Sequence, residues 1–254
     1  MSKLKALQSD EYKHMYWQKP QSLFFAAQDN ISALSASEVT EAAASLPIVF
    51  IRQGEGFVLA ALQSFQPDKN LLVNEKGIWI GMYRPMRYFY YPFCLAGHEG
   101  KQVVCERTGS GLISQAEDGM ALFDESGEKT PEFEDLLAQL NRHQAGLDRA
   151  AELTKEIAGL DLLVEWPIQF PNKDKTIALS GVYRIDEEKL NSLPASKFVE
   201  LRDTGILHIC YSQLVSMYNI RLLNYLHQTS NKATNNLTDV LDFDSGGSLN
   251  FENL

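Results

Sequence analysis

The stretch TPEFEDLLAQLNRHQAGLDRAAELTKEIAGL (130–160) constrains the fold most. Thr130 suits an N-cap, Pro131 fits the first helical position, and acids fill the first turn against the positive end of the helix dipole. Apolar side chains at 133, 136, 137, 140, 147, 153, 157 and 160 keep an approximate helical period. One helix is therefore expected over 131–158, weakened or bent near Gly146.

The chain on both sides of that helix is rich in β-formers. PIVFIRQ (47–53), GFVLAALQSF (56–65) and NLLVNEKGIWIGMYR (70–84) are β-branched and aromatic runs separated by turn clusters, which predicts a β-meander over 47–84. RYFYYPFCLAG (87–97) and KQVVCE (101–106) continue as strands, with Pro92 marking an edge or a bend. LLVEWPIQF (162–170) and KTIALSGVYRI (175–185) read as strands after the helix, whereas the polar 108–130 segment reads as loop. SASEVTEAAAS (35–45) predicts a short helix capped by Ser37. DEEKLNSL (186–193) and ASKFVELRDTG (195–205) predict two more, with Gly205 as a C-cap. ILHICYSQLVSMYNIRLLNYLHQ (206–228) is a long and mostly apolar helix. The expected fold is a single α+β domain over residues 1–228, with a largely antiparallel sheet and two long helices. Residues 229–254, polar and acidic, are expected to form a disordered tail.

Charge and cysteine usage exclude several function classes. The net charge is −10, and it is uneven: residues 1–93 carry nine basic and eight acidic side chains, residues 94–254 fourteen and twenty-five. Such a field repels phosphate backbones, so nucleic acid is not an expected partner. Cys94, Cys105 and Cys210 are odd in number and form no Cys-x-x-Cys pair, as in a reduced cytoplasmic chain without a disulfide framework or zinc site. The first twenty residues hold lysines but no apolar core, so no signal peptide is read, and no apolar run is long enough to span a membrane.

Two phrases recur. Pro-Ile-x-Phe occurs at 47–50 and 167–170, and Gly-x-Tyr-Arg at 81–84 and 181–184, the first gap being longer by twenty residues. An internal repeat with one inserted hairpin would produce this pattern. It would place Tyr83, Arg84, Tyr183 and Arg184 around one cleft, where the arginine forks clamp an anionic group. The competing reading pairs each arginine with a neighbouring acid, such as Asp186 or Glu187. YRPMRYFYYPF (83–93) adds Arg87 among six aromatic residues, a composition able to stack a planar ligand, or equally to form a core strand with one wet face. Tyr83, Arg84, Arg87, Tyr183 and Arg184 are thus the candidate ligand contacts.

The 206–227 helix has a polar face of His208, Ser212, Gln213, Ser216, Asn219, Asn224 and His227, with no full charge at neutral pH. Ordinary solvent faces carry Lys and Glu, so this one is expected to meet polar backbone, a partner or a cleft. The five histidines lack metal-ligand spacing, and no dinucleotide, phosphate-loop or nucleophile-elbow motif occurs, so no cofactor, metal or catalytic residue is assigned.

YWQKPQSLFFAAQDNISALSASEVTEAAASLPIVFIRQ (16–53) and GVYRIDEEKLNSLPASKFVELRDTGILHICYSQLVSMYNI (181–220) together resemble the bacterial SapC family, through the FAAQ phrase, the LPIVF strand, GVYRIDEEKLNSL and the LVSM-x-NI helix. The resemblance covers roughly residues 12–226. It implies a link, by name, to bacterial surface layers, and a setting beside tryptophan-halogenase-like flavoproteins, oxygenase-like proteins and TonB-dependent receptors. It supplies no catalytic residues. The expected function is a non-catalytic cytoplasmic protein that binds a small anionic ligand, a peptide or a partner protein, in a role accessory to such flavoprotein systems. An enzyme acting through His98 or His208, and an exported surface-layer component, are the alternatives.

Overall fold

The computed structural model describes residues 3–98, 101–172 and 175–233. Its centre is a five-stranded sheet of β1 (Ile31–Ala33), β2 (Ile48–Gln53), β3 (Gly56–Leu62), β4 (Leu163–Glu165) and β5 (Val182–Ile185) in the order β4-β5-β2-β3-β1. Every pairing is antiparallel. The fold is α+β.

Alternation along β2 and β3 sorts their side chains between two cores. Ile48, Phe50, Leu59 and Ala61 face one core with the C-terminal half of the long helix, α2 (Pro131–Gly159), and with helix α1 (Val39–Ala43). Val49, Ala60 and Leu62 face another, closed by Phe65, by Ile168 and Phe170 of the Ile168–Asn172 strand, and by Leu223. A sheet covered on both faces reads as a continuous apolar run, as IVFI does here.

The N-terminal half of α2 enters a third core. Phe133, Leu136, Leu137 and Leu140 pack there on Tyr12, Trp17, Tyr90 and Phe93. The predicted cap is present, since the Phe133 N–H donates to Thr130 Oγ1 at 3.2 Å. Gly146 lies between the two halves, and its role differs from the expected weak point. A Cβ there would stand 2.8 Å from Ser35 Cβ, so the glycine admits the Ser35–Glu38 turn against the helix.

Several sequence expectations need correction. The meander stops at Leu62, and residues 63–84 hold only an isolated Val73–Trp79 bridge, because Asn and Gly turns interrupt the apolar runs. The strand expected from Arg87 starts at Phe93, after a 3₁₀ turn at Met86–Tyr88, and pairs with Lys101–Arg107. The 108–130 loop contains Ile113–Ser114 and Met120–Ala121, short strands that flank Tyr16–Trp17. The cap of the 35–45 helix is Ser35 in a capping box with Glu38, not Ser37. The two Gly-x-Tyr-Arg phrases also differ in backbone. Residues 81–83 form bends with Gly81 tucked under Trp79, whereas Gly181 has φ +76 and leads into β5.

The C-terminal helix is two, α3 (Ile206–Ser216) and α4 (Ile220–Ala233), joined by a 3₁₀ turn at Met217–Asn219. Helix thus extends past the predicted boundary at 228, and the rest of the predicted tail lies outside the described residues. Three residues of the uncharged polar face, Gln213, Ser216 and Asn219, meet backbone, one of the surroundings expected from the sequence. β5 pairs with β2 at Val182–Ile51 and Tyr183–Phe50, and in that register Ile185 would next face Ile48. Gln213 stands there instead. Its Oε1 accepts from the Ile185 N–H at 2.9 Å and its Nε2 donates to the Ile48 carbonyl at 3.2 Å. The Ile48 N–H donates to Ser216 Oγ at 2.9 Å, and Asn219 Nδ2 donates to the Ala43 carbonyl at 2.8 Å. Gln213 and Ser216 are fully buried.

The side-chain amide of Gln213 therefore substitutes for a peptide group where two strands part. Gln213→Leu leaves a buried N–H and a buried carbonyl unpaired, at about 1–3 kcal/mol each. The expected outcome is a loss of at least ~2 kcal/mol in the denaturant midpoint analysis at unchanged m-value; a loss below ~0.5 kcal/mol would refute the bridge.

Candidate functional site

A cleft of about 940 Å³ lies between the 84–90 segment and the start of α2. Arg84, Tyr88, Phe89 and Tyr90 form one wall, and Glu132, Asp135, Leu136 and Gln139 the other. Trp17, Gln18 and Lys19 cross between them, with Asp118 held by Gln18 Nε2 at 2.5 Å.

The aromatic wall is placed by a buried carboxylate. Glu38 is 1% exposed, and each of its oxygens accepts two hydrogen bonds. Oε1 takes the Tyr83 hydroxyl at 2.6 Å and the Met86 N–H at 2.8 Å. Oε2 takes the Ser35 N–H at 2.9 Å and lies 3.1 Å from His143 Nε2, which must carry the proton because a carboxylate only accepts. Burial alone would raise the carboxyl pKa; the bonds from His143, Met86, Tyr83 and Ser35 outweigh it and hold the pKa at about 2.

Arg84 lies between Tyr83 and Met86, so Glu38 fixes the chain on both sides of it. Tyr83 is further pinned by its N–H to Ser45 Oγ at 3.2 Å and by Trp79 Nε1 to its carbonyl at 2.9 Å. Tyr88 is held behind the wall by its hydroxyl, which donates to Gln63 Oε1 at 2.9 Å. The Arg84 guanidinium then lies over the Phe89 ring, 3.6 Å from its centroid. Burial lowers its pKa, although a guanidinium stays charged. No described carboxylate forms an ion pair with it. Phe89 is 48% exposed and presents its ring to the cleft. Tyr90 separates the cleft from the buried pair, its ring 5.6 Å from that of His143.

The structure divides the five sequence candidates. Arg84 lines the cleft, and Tyr83 sits behind it as a ligand of Glu38, where burial and the carboxylate raise its pKa. Arg87 faces Asp29 at 3.7 Å and does not line the cleft. Tyr183 of β5 packs edge-on against Phe57 of β3, and Arg184 Nη1 donates to the Ile185 carbonyl at 2.9 Å. Neither lines the cleft, so the two Tyr-Arg pairs do not share it. The acids offered as alternative partners have other roles: Asp186 caps the next helix through the Lys189 N–H, and Glu187 begins it. Of the two candidate histidines, His208 Nε2 lies 3.0 Å from Thr40 Oγ1 beside a smaller groove, and His98 is placed only as the last residue of its strand.

Glu38, His143 and Phe89 were absent from the sequence candidates. The Ser35-x-x-Glu38 spacing was the available signal, because a capping-box glutamate points back at its own turn. Its further partners lie 45, 48 and 105 residues away and leave no local trace.

The SapC family profile matches residues 7–223 of this chain. The chain belongs to the SapC family. No curated protein and no solved structure matches it. This SapC-family chain has no described helix long and apolar enough to cross a membrane, and its described residues hold no cluster of three or more His, Cys, Asp or Glu able to bind a metal ion.

The saturated carboxylate makes stability depend on acid. Its folded pKa lies below the ordinary value near 4.5, so its contribution is full above that value and is lost as the pH falls toward about 2. That contribution is on the order of 3 kcal/mol. Glu38→Gln should lower stability at neutral pH by about 3 kcal/mol, since its amide nitrogen meets donors only. It should also flatten the loss between pH 4.5 and 2, read as urea midpoints against pH. A mutant with the wild-type acid slope would show that another group governs it.

Proposed function

We propose that this SapC-family protein is a non-catalytic cytoplasmic binding protein, whose ligand is a small anion with a planar or apolar body, seated in the 940 Å³ cleft. One observation carries the reading: Arg84 is stacked on Phe89 at the cleft wall, partly desolvated and without a described carboxylate partner. A cation in that state gains most from an incoming anion, and the exposed ring supplies a surface for a flat group. The opposite wall carries Glu132 and Asp135, which repel a second negative charge. The expected ligand thus bears its anionic group at one end. The odd cysteine count and the lack of a Cys-x-x-Cys pair support a reducing compartment. The flavoprotein neighbours associated with the family make an accessory role in such a system the fitting context.

Native mass spectrometry of the protein purified gently from its own host should retain a small molecule. Benzoate and phenyl phosphate serve as defined probes for titration. Arg84→Gln should weaken retention or probe binding by roughly 30-fold, about 2 kcal/mol, while Arg184→Gln leaves it unchanged. Equal binding by wild type and Arg84→Gln would remove Arg84 from the site.

A further inference from the structure

The strands Phe93–His98 and Lys101–Arg107 pair antiparallel, and their register sets Cys94 directly opposite Cys105. Directly opposed residues share one face of a sheet. Phe93 belongs to the third core, and Leu95 and Val104 pack against it, so the two thiols lie on the other, outward face. Lys101–Arg107 is the central strand of three, and Ala6 flanks Cys105 on the far side. Cys105 is therefore buried, and Cys94 on the edge strand is half-buried. An oxidant arriving from solvent meets Cys94 first.

The ladder sets the spacing of the pair. The Arg107 N–H donates to the Pro92 carbonyl at 2.9 Å, which makes 92 and 107 a hydrogen-bonded pair. Such pairs recur at every second rung, so 94 and 105 form one too. Their Cα atoms then stand about 5.5 Å apart, inside the range of about 4.4–6.8 Å that a disulfide spans. Opposed Cβ atoms, roughly 4.5–5.5 Å apart, are wider than the ~3.8 Å of a relaxed bridge. A bond here draws the strands together and is easily reduced. Burial raises the pKa of both thiols, and the Arg107 guanidinium pulls that of Cys94 part of the way back. Cys210 lies in a different core, fully buried, where its pKa is pushed up to about 12.

We propose that Cys94 and Cys105 are a reversible redox pair that takes two-electron oxidants of the peroxide class. With hydrogen peroxide, the Cys94 thiolate attacks one oxygen, the O–O bond breaks, and hydroxide leaves with the proton the thiol had released. Cys94 is then a sulfenic acid. The Cys105 sulfur attacks Cys94 Sγ, the S–S bond forms, the S–O bond breaks, and the Cys105 proton leaves with the second hydroxide. Two thiols and one peroxide thus give one disulfide and two waters. In a reducing compartment the pair rests as thiols, and a disulfide formed there is transient and redox-sensing.

The test treats the native protein with hydrogen peroxide, alkylates it, and digests it with trypsin without reduction. Cleavage after Arg87, Lys101 and Arg107 puts Cys94 in peptide 88–101 and Cys105 in peptide 102–107, so the bond appears as these two peptides joined. Wild type and Cys210→Ser should give the joined pair within one chain, and glutathione should open it again. Cys94→Ser should give none. Cys105→Ser should give none either, and should raise dimedone labelling of the Cys94 sulfenic acid by roughly tenfold. Circular dichroism checks that these variants stay folded. Wild type without the joined peptides, joining only after denaturation, joining between chains, or a bond that glutathione leaves closed would each overturn the proposal.

Discussion

The arrangement of this protein depends on the Glu38 carboxylate and the four donors that surround it. A carboxylate taken out of water costs several kcal/mol unless its lone pairs are filled, and here each oxygen is filled twice. The donors come from the helix turn at Ser35, the bend at Tyr83, the 3₁₀ turn at Met86 and the middle of the long helix at His143. No other described group ties together these four pieces. Gly146 belongs to the same arrangement, because a side chain there would hold the Ser35 turn away from the helix and open the carboxylate to water.

That one group links folding to the cleft. The segment carrying Arg84 has no strand partner, since residues 81–85 form bends and coil. Its position is set by side chains: Glu38 and Ser45 from one side, Trp79 and Gln63 from the other. A loop held in this way can present an arginine with little conformational entropy left to lose on binding, which is what an anion site requires. The arginine is therefore a consequence of buried polar chemistry placed behind it.

What could be read from the sequence was whatever is written in local spacing. The 131–159 helix, its Thr130 cap, Gly205 at the end of the 195–204 helix and the strands at 48–53, 56–62 and 182–185 all follow from periodicity and turn chemistry. The repeated Gly-x-Tyr-Arg misled because the same letters answer different demands. Gly81 leaves room for the Trp79 ring, Gly181 supplies a left-handed turn, and only the second tyrosine lies in a strand. Arg84 was legible as a candidate, yet its separation from Arg184 was not, because that separation depends on loop 63–91, whose path is set by contacts with residues 26, 38 and 45. Glu38 looked like an ordinary first-turn acid for the same reason.

The uncharged face of the C-terminal helices shows how unpaired backbone decides which residues of a helix are buried. Amphipathic helices normally bury the apolar side, because water leaves no cost on the polar one. Here β5 and β2 part after Tyr183 and Phe50, which exposes unpaired peptide groups at Ile185 and Ile48 inside the fold. Satisfying them outranks burying a few more aliphatic carbons: an unmet buried donor or acceptor costs about 1–3 kcal/mol, comparable with the gain from one Leu or Val side chain. Gln213, Ser216 and Asn219 therefore turn inward beside Ile206, Ile209, Cys210 and Leu223, and Tyr211, Val215, Tyr218, Leu222 and Tyr225 are left outside. An apolar stripe on this surface is thus the direct consequence of a parted sheet.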